Sequence, residues 1–202
     1  MKQIILYIIC FFVGAGSVIG VRYYLTQSSR PFLTDAPFLI NAPTTALLGT
    51  MTNVSGTIKL QGPHDAAFRE ITSETSIKQL DALFIEKGEG AVIVGETKLS
   101  MEEGSELFFE HLILPNMFVR QRSGVVTYET KTPWSVRAQR SLVTLEKGTM
   151  EISIDGMTAT INVKEGDVHI GNIDEDNNTT TYTLSKGDRA VVNGTLQTVV
   201  IR

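Results

Sequence analysis

From Gly49 onward, apolar and polar residues alternate with a period close to two, and this limits the fold more than any other feature of the chain. Met157, Ala159, Ile161 and Val163 interleave with Thr158, Thr160, Asn162 and Lys164. Met150, Ile152 and Ile154 interleave with Glu151 and Ser153, and Tyr182 and Leu184 with Thr181 and Thr183. Successive side chains of an extended strand point to opposite faces, so each run reads as a strand with one buried face and one wet face. The punctuation agrees. Asp155-Gly156 and Asn193-Gly194 suit the two central positions of a type I′ hairpin turn. Ser55-Gly56, Lys87-Gly88, Glu165-Gly166 and Lys186-Gly187 recur at strand-like spacing. The expectation is an all-β domain over residues 49–202, made of stacked short hairpins separated by glycine turns. Periodicity leaves a β-sandwich and a short β-solenoid both open. The expected core comprises Val92, Val94, Leu107, Val126, Trp134, Val136, Ile152, Ile161, Val163, Val168 and Leu184. One segment, Ser73 to Leu83, also has the spacing of a short helix, with Ile77, Leu80 and Leu83 on one face.

The N-terminus is of another kind. Ile4 to Val21 is an unbroken run of apolar or small residues between Lys2 and Arg22. About 20 such residues cross a bilayer core as a helix, and this run is at the short end of the range. Residues 4–25 are expected to form one transmembrane helix in contact with membrane lipid. Arg22-Tyr23-Tyr24 forms its interfacial edge. A cleaved secretory signal, with small residues near Val13-Gly14-Ala15 or Ala15-Gly16-Ser17, is the alternative. Cys10 reads as an apolar thiol inside the run, since Tyr7-Ile8-Ile9 lacks the small residues that precede a lipidated cysteine. Gly16 and Gly20 form a G-x-x-x-G pair that lets two spans pack as a weak homodimer; small residues in an unpartnered helix are the simpler reading. Residues 1–3 then form a short cytoplasmic end, and the C-terminal domain is periplasmic or extracellular. Residues 26–48, with prolines at 31, 37 and 43, read as a stalk, some of it lying on the domain.

Charge excludes one class of partner. The chain has 18 basic and 22 acidic residues; three of the basic (Lys2, Arg22, Arg30) and none of the acidic precede residue 31, leaving 15 against 22 beyond it. Phosphate contacts need clustered Lys and Arg, and no basic stripe with interleaved aromatics is visible, so nucleic acid is not an expected partner. With its single cysteine in the apolar run, the domain has no disulfide to draw on.

No residues converge on chemistry. His64, His111 and His169 stand apart, without metal-ligand spacing; alternation turns His169 outward between Val168 and Ile170. Asp174-Glu-Asp176-Asn-Asn178 begins like a cation loop but lacks the glycine and distal glutamate of an EF-hand, and reads as a hairpin tip. Thr144 and Lys147 have the spacing of a hydroxyl–lysine pair, but Glu146-Lys147-Gly148 looks like a turn. There is no G-x-S-x-G, H-E-x-x-H or phosphate-cradling loop. Asn53-Val-Ser55, Asn178-Thr-Thr180 and Asn193-Gly-Thr195 fit a glycosylation pattern and read as turn asparagines. Trp134, the sole tryptophan, is expected as packing rather than as a ligand platform. Catalytic, cofactor-binding and metal sites are all expected to be absent.

Several landmarks occur in a shared order. They are Gly124-Val-Val-Thr-Tyr-Glu129, Pro133-Trp134-Ser135-Val136-Arg137, Gly148-Thr149-Met150-Glu151-Ile152, Ile161-Asn-Val-Lys-Glu-Gly166-Asp-Val168 and Leu184-Ser-Lys-Gly187-Asp188. Upstream stand Ala91-Val-Ile-Val-Gly95 and Gly104-Ser105-Glu-Leu107. In this order the stretch from Gly49 to Val192 resembles the FecR domain, a β module of the extracytoplasmic half of bacterial membrane regulators. The resemblance implies a solenoid-like twist of short strands. It also departs from the family. Only Met1-Lys2-Gln3 precede the apolar run, where the family's regulators carry a sigma-factor-binding segment, and Arg202 ends the chain where they carry a further module. The expected function is therefore a non-catalytic binding, scaffold or signalling-accessory domain held to a membrane, whose partner is an unknown protein or envelope polymer. Two alternatives stand beside it. One is a sensor subunit paired with a separate regulator. The other is a cell-envelope hydrolase drawing carboxylates from distant strands, such as Glu110, Asp167 and Asp188.

Overall fold

The structure, a computed structural model, describes residues 46–173, 178–195 and 198–201. The apolar run with Cys10, Gly16 and Gly20, the stalk as far as residue 45, and Asp174 to Asn177 lie outside them. Among the described residues no helix is long and apolar enough to cross a membrane. These residues are all-β, 72% strand with no helix.

The strands are β1 Gly49–Gln61, β2 Arg69–Ile71, β3 Thr75–Ile77, β4 Ala82–Val94, β5 Thr97–Met101, β6 Glu106–His111 and β7 Met117–Thr130. There follow β8 Trp134–Ala138, β9 Ser141–Asp155, β10 Thr158–Ile173, β11 Thr179–Leu184, β12 Arg189–Asn193 and β13 Thr198–Ile201. All pairs are antiparallel except β7 with β8.

Five strands are long, and each changes neighbours halfway along. The first half of β1 pairs with β3 and the second with β2, while β4 meets both halves. The first half of β7 lies between β6 and β8, and the second between β5 and β9. β9 and β10 divide in the same way. The single sheet is therefore doubled into two layers. One runs β13-β12-β10-β9-β7-β5-β4-β1-β3 and is called here the threonine layer; the other runs β11-β10-β9-β8-β7-β6-β4-β1-β2 and is called the aromatic layer. One continuous apolar core draws on both.

Glycines make the doubling possible. Gly56 faces Gly88, and Gly148 faces Gly166, all with positive φ. A Cβ at any of the four would lie 2.0 to 2.1 Å from a backbone carbonyl oxygen of the opposite strand. Only glycine permits that approach in that conformation. Register shifts flank both pairs, so each bend is a bulged kink inside a long strand. Gly124 (φ 78°) bends β7 against the backbone of Ser105. The expectation of short hairpins is corrected here: Ser55-Gly56, Lys87-Gly88, Glu165-Gly166 and Lys147-Gly148 are bends within strands of 13 to 16 residues, not turns between strands.

Other details also differ. The β9–β10 loop is Gly156-Met157, with positive φ at Gly156 alone, which suits a II′ rather than an I′ turn. Met157 is exposed at that tip, off the apolar face. Asn193 pairs with Thr198, so the Asn193-Gly194 connection is longer than two residues. Ser73 to Leu83 is not helical. Thr75–Ile77 pairs with Gly49–Met51, and Leu80 turns outward at φ 71° before β4 begins. An open edge at β1 and Asp81 accepting from the Lys78 N–H at 2.7 Å outweigh the helical spacing. Every residue expected in the core is buried. The Leu47 N–H donates to Leu112 O at 2.7 Å, and Leu47 packs on the core.

Candidate functional site

The inward faces of both layers are occupied by packing, so function has the outer surfaces to work with. The two differ in chemistry. Across the threonine layer, Thr52, Ala91, Ser100, Thr127, Glu151 and Asn162 lie in one register row. Ser153 and Thr160 lie side by side in another. Glu151 accepts from Lys164 at 2.6 Å and from Asn162 at 3.2 Å. Those bonds, Lys164 first, hold its carboxyl below the usual range against an opposing desolvation.

The outer surface of the aromatic layer carries Phe68, Phe84, Phe108 and Phe118 with Arg120, Arg122 and Arg137. Register places Phe84 opposite Glu106, Phe108 opposite Arg120, and Arg120 opposite Arg137. Phe68 and Phe84 meet with ring centroids 6.4 Å apart. The Arg122 guanidinium lies 5.8 Å from the Phe108 centroid and that of Arg137 lies 5.1 Å from Phe118, distances at which the ring quadrupole attracts a cation. Arg122 pairs with Glu106 at 2.7 Å, and Arg120 with Glu110, whose other oxygen is 4.0 Å from Arg137. The resulting surface is aromatic and nearly charge-balanced. The sequence has no contiguous basic stripe with interleaved aromatics; the structure assembles an Arg–Phe alternation from β6, β7 and β8, with Glu106 and Glu110 offsetting it. The visible signal was the charge-and-ring alternation of Phe108, Glu110, Phe118, Arg120 and Arg122 on the polar side of two strands.

The singled-out residues are scattered. His64 is exposed, His111 pairs across strands with Phe118, and His169 faces outward, its Nδ1 3.1 Å from the Thr183 hydroxyl. Among the described residues no group of three His, Cys, Asp or Glu side chains is arranged to hold a metal ion. Thr144 shares a 3.0 Å hydrogen bond with Ser135, and Lys147 sits at the β9 kink rather than in a turn. Asn193 accepts from the Thr195 N–H. Trp134 is fully buried, and its Nε1 has no acceptor. Asp167 and Asp188 come together around Ser185, which donates its hydroxyl to one and its N–H to the other, both at 2.8 Å. Glu110 is held on β6, four strand steps from Asp167 on β10, or roughly 19 Å at ordinary strand spacing. The three carboxylates do not share a site. Three surface hollows, of about 210 to 480 Å³, are shallow and open rather than enclosing.

No known family model matches the chain, and no curated protein does. Its fold does have solved counterparts. Two crystal structures of a "putative anti-sigma factor" from Parabacteroides distasonis ATCC 8503 superpose with a TM-score of 0.50, at 15% and 14% sequence identity. Each match covers 60% of this chain and 58% of the counterpart, so the chain spans less than two thirds of those proteins. At that identity the likeness is one of fold.

Proposed function

We infer that this chain is an extracytoplasmic interaction module of the FecR kind, held to a membrane by residues 4–25 and acting without catalysis as a binding, scaffold or signalling-accessory domain. The observation that carries the reading is the all-β fold, which across 60% of the chain superposes on the anti-sigma factor structures. The ordered landmarks from Gly124 to Asp188 support it. The same likeness favours a second reading within this class, a sensor subunit whose sigma-binding part is a separate protein.

The test begins with intact cells. The protein, tagged after Arg202, is expected in the membrane fraction with its N-terminal peptide retained. A soluble product starting near Gly16 or Val18 would remove the anchor. Cross-linking in intact membranes is expected to recover a specific protein or envelope polymer. If the purified protein instead degrades envelope polymer, and a carboxylate substitution abolishes this without unfolding it, the non-catalytic reading fails.

A further inference from the structure

The two ends of the doubled sheet are finished differently. At one end both layers stop a single strand beyond β1, at β2 and β3, and each of these strands has three residues. β2 contains Arg69 and Glu70, and Glu74 and Lys78 flank β3. Short strands and charges keep an edge from pairing. At the other end the layers are out of step. Beyond β10 the threonine layer continues for two strands, β12 and β13, and the aromatic layer for one, β11. Among the described residues no strand of the aromatic layer lies beneath β13.

Burial records this step. Ala190 and Val192 on β12 are fully buried. Their register partners on β13, Ile201 and Val199, point the same way; Val199 packs partly on the core, while Ile201 is 44% exposed. Tyr182, inward on β11 beside buried Ile170, packs on the core but keeps part of its ring exposed. The open strand beside the gap reads Thr-Thr-Thr-Tyr-Thr-Leu, six residues without charge, proline or glycine. About every second residue of such an edge turns its N–H and C=O away from the sheet.

We propose that this step is a one-strand acceptor site. An extended, uncharged segment of a partner protein adds to the open edge of β11, beneath β13, and places its inward side chains between Tyr182 and Ile201. The strand supplies main-chain hydrogen bonds and its alternate side chains supply specificity, the pattern of strand addition. Two features select this occupant. β11 and β13 have no charged side chain, so a charged strand would lose hydration without gaining a partner. The gap is also one strand wide. A second copy laying its own β11 alongside in the same layer would drive its overhanging strands into β13, so a sheet edge does not fit where a single strand does. This inference rests on the interaction-module reading and names the surface that does the interacting.

The test uses the full chain in detergent and a fluorescein-labelled heptapeptide of alternating threonine and valine. Saturable anisotropy is expected, with slowed amide exchange across Thr179 to Leu184. Thr180→Lys and Ile201→Lys, both at exposed positions, are expected to weaken binding at least tenfold with unchanged unfolding midpoints; Phe118→Ala, four strands away on the outer surface of the aromatic layer, less than twofold. Absence of saturable binding overturns the proposal. So does binding that survives both lysine substitutions. Concentration-dependent protection of β11 without peptide overturns it in favour of self-association. A photo-cross-linker in intact cells separates the two levels of the argument. A partner captured from position 118 and never from 181 sinks the acceptor site and leaves the interaction module standing. Capture from neither, with polymer cleavage by the purified protein, sinks both.

Discussion

The two outer surfaces cover the same core, are built largely from the same five strands, and have little else in common. One is a ladder of Thr, Ser and Asn around Glu151; the other sets Phe84, Phe108 and Phe118 among arginines. The inward residues alternate with both sets and are mostly apolar, with a few buried polar side chains such as Gln121 and Thr97 among them. The difference shows that the fold constrains one face of each strand and leaves the other free. Changes at shared elements should therefore destabilise both layers, and changes on one surface should stay local.

The most severe test is at the kinks, because both layers pass through them. Gly148→Ala places a Cβ 2.1 Å from the Glu165 carbonyl oxygen at φ 128°. Backbone strain of about 1–3 kcal/mol adds to overpacking of about 1–3 kcal/mol. Chemical unfolding should register a loss of that combined order, with amide protection falling in both layers. Protection lost from one layer alone would mean that the layers are not joined through these bends. Next comes the core. Ile161→Ala removes a fully buried side chain and should cost roughly 2–5 kcal/mol. A loss below about half a kcal/mol would put the faces of β10 the wrong way round.

A smaller effect is expected where the two halves of β7 are tied together. The buried Tyr128 hydroxyl donates to Gln121 Oε1 at 2.9 Å, and Gln121 Nε2 donates to Gly124 O at 2.9 Å and Ile152 O at 3.0 Å. Burial pushes the Tyr128 phenol well above its usual range. Tyr128→Phe leaves the Gln121 oxygen without its donor and should cost about 1–3 kcal/mol. An unchanged midpoint would show that the network does not brace the Gly124 bend.

The sequence made the core legible because burial and alternation are one signal: Ile161 or Val126 is apolar, its neighbours are not, and the period says which way it points. The kinks were not legible for a related reason. A bulge adds a residue, so the alternation breaks at Gly56 or Gly166 and resumes out of phase, just as it would across a turn. The pairing partner tells a bend from a turn, and that is a long-range fact. The aromatic surface is long-range in the same sense. Phe108 and Phe118 sit near each other only because β6 pairs with β7, and Arg137 reaches Phe118 through the parallel β7–β8 contact, which sequence adjacency does not suggest. The step beside β11 depends on counting strands in each layer, and no local pattern encodes it.

The smallest expected effect sharpens the comparison through pH. On the threonine surface the Glu151 carboxyl is held low, chiefly by Lys164. Its folded-state pKa is depressed, so its contribution is present above the unfolded value near 4.5 and is lost as pH falls through the folded one. Asp81, where the chain enters β4 of the aromatic layer, is the opposite case. Desolvation raises it, although the Lys78 N–H and the Lys78 and Arg69 charges pull the other way. A raised carboxyl contributes stability that is fully present below the unfolded value of 3.8 and is lost as pH rises through the folded one. Urea midpoints followed from pH 3 to pH 7 should therefore separate the two. Glu151→Gln should weaken the protein more at pH 7 than at pH 3. Asp81→Asn, which keeps an oxygen for the Lys78 N–H, should gain on the parent as pH rises. Glu151 is partly solvated, and for Asp81 the Lys78 N–H and the Lys78 and Arg69 charges offset much of the desolvation, so each difference should amount to about 1 kcal/mol or less. If both variants drift in the same direction, the two layers do not differ in the electrostatic sense their surroundings imply.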